Sequence, residues 1–210
     1  MTYQYLLLEY DGPFATITLN QPEKRNALTA CLMQELTDAL QVVAKGQALA
    51  ANGPVFSAGH SFGDMAGASP AQLHALFEIC ATMMNTVQAM PQPVVARVHA
   101  LATAAGCQLV ATCDMALAAD TASFAMPGGK GGMFCHTPLV AVARNIGRKR
   151  ALEMAMTGDA IDAATAAALQ ALLARAGLVQ LAQDPARFLA QRRIHGRQSD
   201  PGGGPHSQAI

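Results

Sequence analysis

The sequence predicts an α/β fold from three observations. An alternating hairpin pattern opens the chain. Segments of helical periodicity follow it. A short apolar strand, Val94–Val98, then runs through small residues directly into a helix. In order, residues 3–9 and 14–19 alternate apolar and polar side chains around Asp11-Gly12-Pro13 and read as an antiparallel hairpin. The loop NQPEKRN leads to an amphipathic helix from Thr29 to about Ala44, with Thr29 or Asn26 as its cap. A short, weak strand over 47–51 precedes the turn Asn52-Gly53-Pro54, and 55–58 enters the loop 59–63.

Ser69-Pro70 opens a second helix reaching about Met90, with Leu73, Leu76, Phe77, Cys80 and Met84 at helical spacing and Pro91 and Pro93 as its stop. The strand 94–98 is followed by the small residues 102–106, a helix over 107–117, a short strand around Ser123–Ala125 and a glycine-rich loop over 127–132. Further helices are predicted at 138–145, 148–156 and 162–175. The chain is expected to form one domain over 1–180. The tail, 181–210, mixes arginines with prolines and three consecutive glycines, has little apolar periodicity and is expected to be disordered.

Composition narrows the function. Charged residues are 13% and apolar residues 51%, so the chain hides more surface than a monomer needs and a homo-oligomer is expected. Zero net charge and few aromatic residues argue against a nucleic-acid partner. No apolar run has the roughly 20 residues of a membrane span. The opening MTYQYLLLEYDG has neither the basic start nor the long apolar stretch of a secretory signal, and its acidic residues argue against a transit peptide. Cys31, Cys80, Cys107, Cys113 and Cys135 lack CxxC spacing, which points away from zinc and toward reduced thiols in a cytoplasmic protein.

The strand-to-helix junction over 91–128 holds the most chemistry. Small residues at a helix start let a ligand approach unpaired N–H groups, where the helix dipole favours negative charge. Such a junction is suited to holding an oxyanion. Beside it stands Gln108, an amide where a carboxylate would be sought.

The blocks PEKRNALT (22–29), GPVFSAGHSFGDM (53–65), PVVARVHALATAAGCQLVATCDMALAADTASFAMPG (93–128) and ALEMAMTGDAIDAATA (151–166) stand in this order. In combination the chain resembles the enoyl-CoA hydratase/isomerase (crotonase) superfamily over about 5–178. Within it, ATAAGCQLVATCD and MFCHTP (133–138) are similar to the branch called enoyl-CoA hydratase domain-containing protein 3. The resemblance implies a spiral of ββα units with flanking helices, packed as a trimer or hexamer. It also implies a role in fatty-acid metabolism, an acyl-CoA thioester as ligand, and no cofactor beyond the coenzyme A of that thioester.

By the same resemblance, the N–H groups of His60 and Ala105 form the oxyanion hole. Lys24, with Arg25 and Ala27, lies where the family contacts CoA phosphates; as a plain solvated charge, Lys24 would have no such role. Ala58 and Phe62 match the segment that brackets the adenine and pantetheine, although Ala58 also reads as simple packing. The family continues past about Leu178 with helices that complete the acyl pocket, so the C-terminal part is expected to be truncated or replaced. The stretch between the first helix and Asn52 also looks short for the family.

Hydratases of the family use two glutamates, because water must be deprotonated while the α-carbon receives a proton. The matching positions here are Gln108 and Gly128, neither of which has a useful pKa. His136 is a candidate substitute base, with a loop histidine of no catalytic role as its alternative. Cys135 lacks an evident partner as a nucleophile, Lys130 is outside any phosphate-loop frame, and Asp64 and Glu78 read as surface charges. Two functions follow: an acyl-CoA enzyme resembling hydratases and isomerases, or a non-catalytic acyl-CoA-binding or regulatory protein.

Overall fold

The structure, a computed structural model, describes residues 2–43 and 46–170. The tail and the last part of the helix expected over 162–175 lie outside the described residues. Strands β1 (Leu6–Asp11) and β2 (Phe14–Leu19) form the expected hairpin, paired from Leu6–Leu19 to Asp11–Phe14. They begin a five-stranded sheet of order β1-β2-β3-β4-β6, parallel from β2 onward, with β3 at Gly46–Ala51, β4 at Val94–Val98 and β6 at Met115–Ala118. A second sheet, β5-β7-β8, is built from Leu101–Thr103, Ser123–Ala125 and Ile161–Asp162. The predicted α/β class holds.

Helix α1 (Ala30–Val42) is capped by Thr29, whose hydroxyl accepts the Leu32 N–H at 3.2 Å. After the single turn α2 (Phe62–Met65), helix α3 (Pro70–Ala89) begins with a reciprocal capping box between Ser69 and Gln72. Helices α1 and α3 pack against each other. Leu32, Leu36 and Leu40 of α1 join Leu76, Met83 and Val87 of α3 and Ile17, Leu49 and Val94 of the sheet in one buried core. Helices α4 (Ala105–Thr112), α5 (His136–Ile146), α6 (Arg148–Thr157) and α7 (Ala163–Gln170) complete the described elements, and α4 packs on α5 and α5 on α6. Among the described residues no helix is long and apolar enough to cross a membrane.

Three expectations change. The helix expected over 107–117 starts at Ala105 and stops at Thr112, and Met115–Ala118 is a strand. Met-Ala-Leu-Ala favours a helix locally, but Asp114 donates its N–H to the Val94 carbonyl and accepts the Val94 N–H on Oδ2 at 2.8 Å. That clasp turns the chain alongside β4. The weak strand over 47–51 is a fully paired six-residue strand, because β2 and β4 on either side supply bonds its composition does not advertise. Residues 161–162 form a short strand rather than the run-in to the last helix, and Asp162 caps that helix by accepting the Thr165 N–H at 2.7 Å.

Candidate oxyanion site

Strand β5 ends at Thr103, and Ala104 turns the chain into α4 at φ 51° and ψ −122°. An L-residue is strained in that region. The conformation persists because both sides of Ala104 are tied: its N–H donates to the Ala125 carbonyl and its carbonyl accepts the Gln108 N–H. The first helical residue, Ala105, is almost fully buried, and its N–H is spent on no partner among the described residues. Ala104→Gly is expected to leave stability unchanged or raise it by up to about 1 kcal/mol, and Ala104→Val to lower it by about 2 kcal/mol. Urea unfolding of both variants checks this, and a destabilised glycine variant would contradict the strain.

The second donor arrives on the chain from Ser57 to Ser61. Ser57 bridges Ala102 of β5, and His60 bridges Leu28, so this segment lies between the 25–28 loop and β5. Leu28 donates to the Gly59 carbonyl and Ser61 to the Leu28 carbonyl, which leaves the His60 N–H unspent among the described residues. Gly59, at φ +82°, sits so close to the junction that a Cβ on it would lie 2.9 Å from the Ala104 Cβ and 3.0 Å from the Ala105 nitrogen. A Cβ on Gly106 would lie 2.6 Å from the Ser57 carbonyl oxygen. Two glycines therefore bring the two donor segments into contact.

Two side chains at this junction present an unpaired atom. Gln108 Oε1 and His60 Nε2 are buried without a hydrogen-bond partner. The His60 ring stands edge-on to Phe77 of α3, with centroids 5.3 Å apart. Burial lowers the His60 pKa from 6.5, so the folded chain keeps the ring neutral where the unfolded chain already takes up a proton. The unfolded state then binds more protons below pH 6.5, so this contribution to stability is complete above that pH and is lost as pH falls beneath it. Thermal melts between about pH 7 and pH 5 should show a steeper fall in Tm for the wild type than for His60→Phe. Parallel profiles would remove His60 as the source.

Gly128, where the resemblance expects the second acid, is the second residue of a 3-10 turn (Pro127–Gly131), and its carbonyl accepts the Met133 N–H at 2.8 Å. A Cβ on Gly128 would run into the Met133 carbonyl oxygen and lie 2.6 Å from Cys135 Sγ. The space beyond Gly128 is thus filled by backbone and a thiol. Gly128→Glu is expected to destabilise the chain and to confer no hydration activity, checked by denaturation and product analysis. His136, the candidate substitute base, is exposed as the first residue of α5, with Nδ1 3.3 Å from the Phe134 carbonyl.

Lys24 and Arg25 are exposed on a 3-10 turn (Pro22–Lys24) and its cap, Ala27 is half-buried, and Phe62 is 72% exposed at the start of α2. The Ala58 N–H donates to the Arg25 carbonyl at 3.0 Å, which ties this basic loop to the donor segment. Asp64 is exposed, as expected of a surface charge. It also accepts from the Ser61 hydroxyl and, at 3.3 Å, from the Ala30 N–H at the start of α1. Two surface clefts lie away from the donors. One, of 350 Å³, lies between α1 and α3 beside Gln34, Asp38 and Glu78; the other, of 250 Å³, lies beside Arg150, Asp159 and Leu169. Neither is lined by His60, Ala105 or Gln108.

The profile of the enoyl-CoA hydratase/isomerase family matches residues 9–193. The chain belongs to this family. It falls in the branch of enoyl-CoA hydratase domain-containing protein 3: it is 44% identical to the mitochondrial protein of that name from Rattus norvegicus over 161 residues, 74% of this chain and 53% of the relative. The chain thus spans about half the length of such curated relatives. A probable enoyl-CoA hydratase of Rhizobium meliloti is 32% identical over 91% of this chain and 73% of its own length. The crystal structure of human enoyl-CoA hydratase domain-containing protein 3 superposes with a TM-score of 0.81 at 38% identity, covering 90% of this chain and 77% of that one. The Mycobacterium smegmatis enoyl-CoA hydratase structure gives 0.81 at 40% identity, covering 90% and 76%. The crotonase-type fold is that of these neighbours. The family profile also runs past residue 178, where the motif resemblance fades.

The family motifs alone did not point to Asn26, Ser57, Gly59 or Gly106 as parts of the site. Asn26 is fully buried: its Oδ1 accepts the Gln21 N–H, and its Nδ2 donates to the Asn52 and Val55 carbonyls. The Ser57 hydroxyl donates to the Asn26 carbonyl and accepts the Gly59 N–H at 3.2 Å. A chain of bonds therefore runs from the 21–26 loop to the residue before His60. The available signal was the polar composition of the 21–26 loop and the glycine inside the 57–61 segment.

Proposed function

We propose that this crotonase-family chain binds an acyl-CoA thioester and polarises its carbonyl between the His60 and Ala105 N–H groups. The observation that supports the reading is the contact of Gly59 with Ala105, which brings together two donor segments whose N–H groups are otherwise unspent. Preorganised donors aimed at a developing enolate oxygen stabilise it by roughly 3 kcal/mol each. Lys24 and Arg25 supply positive charge on the loop tied to that segment. Gln108, a neutral amide, orients a ligand group through Oε1 and moves no proton. Membership of a lipid-metabolising pathway and self-association belong to the same reading. Exposed Phe62, Val140 and Met156 on a chain with 13% charged residues favour the latter, which sizing chromatography measures.

Two-carboxylate hydration is not the reaction we propose, since Gln108 and Gly128 stand where the resemblance expects the two acids. Titration calorimetry with saturated and unsaturated acyl-CoAs, run beside incubation in deuterated water, tests the proposal. Binding with label at the α-carbon identifies an enolate-forming enzyme. Binding without label or product identifies a non-catalytic acyl-CoA binder, the second reading, which the filled space at Gly128 favours. No binding to any thioester overturns both.

A further inference from the structure

The segment that carries the His60 donor runs along the loop into α1, and a ladder of backbone bonds joins the two. Ala58 donates to the Arg25 carbonyl at 3.0 Å, Leu28 to the Gly59 carbonyl at 2.7 Å, and Ser61 to the Leu28 carbonyl at 3.4 Å. The middle bond aims the donor. A trans peptide points its C=O and its N–H in opposite directions, and no cis peptide bond occurs among the described residues. With the Gly59 oxygen turned to Leu28, the His60 N–H of the same peptide faces away from the 25–28 loop. Whatever holds Leu28 against Gly59 therefore fixes where that N–H points.

Just past His60 the hold is weaker. The Ser61 bond is long, and the exposed Phe62 ring does not seat the single turn α2. Asp64 closes the ladder instead. Its Oδ2 accepts the N–H of Ala30, the first residue of α1, at 3.3 Å, and its Oδ1 accepts the Ser61 hydroxyl at 3.2 Å. Ser61 Oγ in turn accepts the Asp64 N–H at 3.3 Å. Helix α1 has no acidic residue in its own first turn, and its Thr29 cap serves Leu32. A carboxylate from another element thus meets the orphan N–H and the positive end of the dipole at Ala30. Asp64 joins no ion pair among the described residues, so its two oxygens are given to these two donors. We propose that Asp64 is a positioning residue: by bonding to Ala30 and Ser61 it clamps the chain after His60 to α1 and so holds the His60 N–H in place as a thioester donor. That donor role rests on the thioester reading, whereas the clamp itself does not.

Native-state hydrogen exchange of the full chain tests the clamp without any ligand. In Asp64→Ala the Leu28 and Ser61 amides are expected to exchange about tenfold faster than in wild type, with the amides of β2 and β4 unchanged. Asp64→Asn keeps an acceptor for Ala30 and an amide donor for Ser61 Oγ, and should restore most of the protection. Faster exchange at Ala30 alone, with Leu28 still protected, overturns the proposal, because the carboxylate then only caps α1. An asparagine variant as labile as the alanine one overturns it too. Should Asp64→Ala fail to fold, Ser61→Ala removes the hydroxyl from the same clamp and is read in the same way. Infrared difference spectra with butyryl-CoA, isotope-labelled at the thioester carbonyl, then read the donor itself, since hydrogen bonds to that oxygen lower its stretching frequency. With each form saturated, the downshift in wild type should shrink in Asp64→Ala and return in Asp64→Asn. A downshift kept in full by Asp64→Ala overturns the positioning role alone. Bound ligand with no downshift in wild type overturns the thioester reading and the donor role with it, while the exchange result still decides the clamp.

Discussion

Gly59→Ala is expected to abolish acyl-CoA binding and to lower stability by about 3 kcal/mol. Two penalties combine. At φ +82° an L side chain is disfavoured whatever its surroundings, and the added carbon would meet the Ala104 Cβ and the Thr103 carbonyl oxygen at 2.9 Å and the Ala105 nitrogen at 3.0 Å. None of these is the movable end of a flexible chain: one is a methyl on a strained residue, and two are backbone atoms. Relief requires the 57–61 segment to move away from α4, which separates the His60 and Ala105 donors. Urea unfolding measures the first effect and titration with an acyl-CoA the second. A variant that binds as tightly as wild type would remove the backbone oxyanion site, even if it were destabilised.

Asn26→Ala should lower stability by about 3 kcal/mol, through hydrogen bonding rather than sterics. The substitution strands the Gln21 N–H, whose bond is buried, and deprives the Asn52 and Val55 carbonyls of a fully buried donor. Asparagine also tolerates the left-handed φ of 47° better than alanine does. Because the Asn26 carbonyl accepts from Ser57, loosening the loop reaches Gly59 through the Ser57 hydroxyl. Acyl-CoA affinity should fall along with stability. Denaturant midpoints and calorimetry measure the pair, and a loss under 1 kcal/mol would show that the loop repairs its own bonds.

The local features of the fold were legible. The hairpin alternates at period two, Thr29 and Ser69 stand at helix starts with a hydroxyl to offer, and Pro91 and Pro93 bar any continuation of α3. Non-local pairing was not. Gly-Gln-Ala-Leu-Ala-Ala and Met-Ala-Leu-Ala have no β-branched residue, and only neighbouring strands make strands of them. Asp114, whose clasp on Val94 ends α4, gives no sign in sequence of a partner twenty residues away.

The candidate site divides in the same way. Residue identity alone determined that Gln108 is an amide without a useful pKa, that Gly128 has no side chain, and that small residues open α4. Those are properties of single residues and their immediate neighbours. Only the tertiary structure decided that Gly59 lies against Ala105, that Asn26 ties the basic loop to the donor segment, and that the Met133 carbonyl and Cys135 fill the space beyond Gly128. Each of these depends on segments brought together by β-pairing and core burial, whose energies are spread over the whole chain. A sequence pattern records which groups are available, and close packing decides which of them meet.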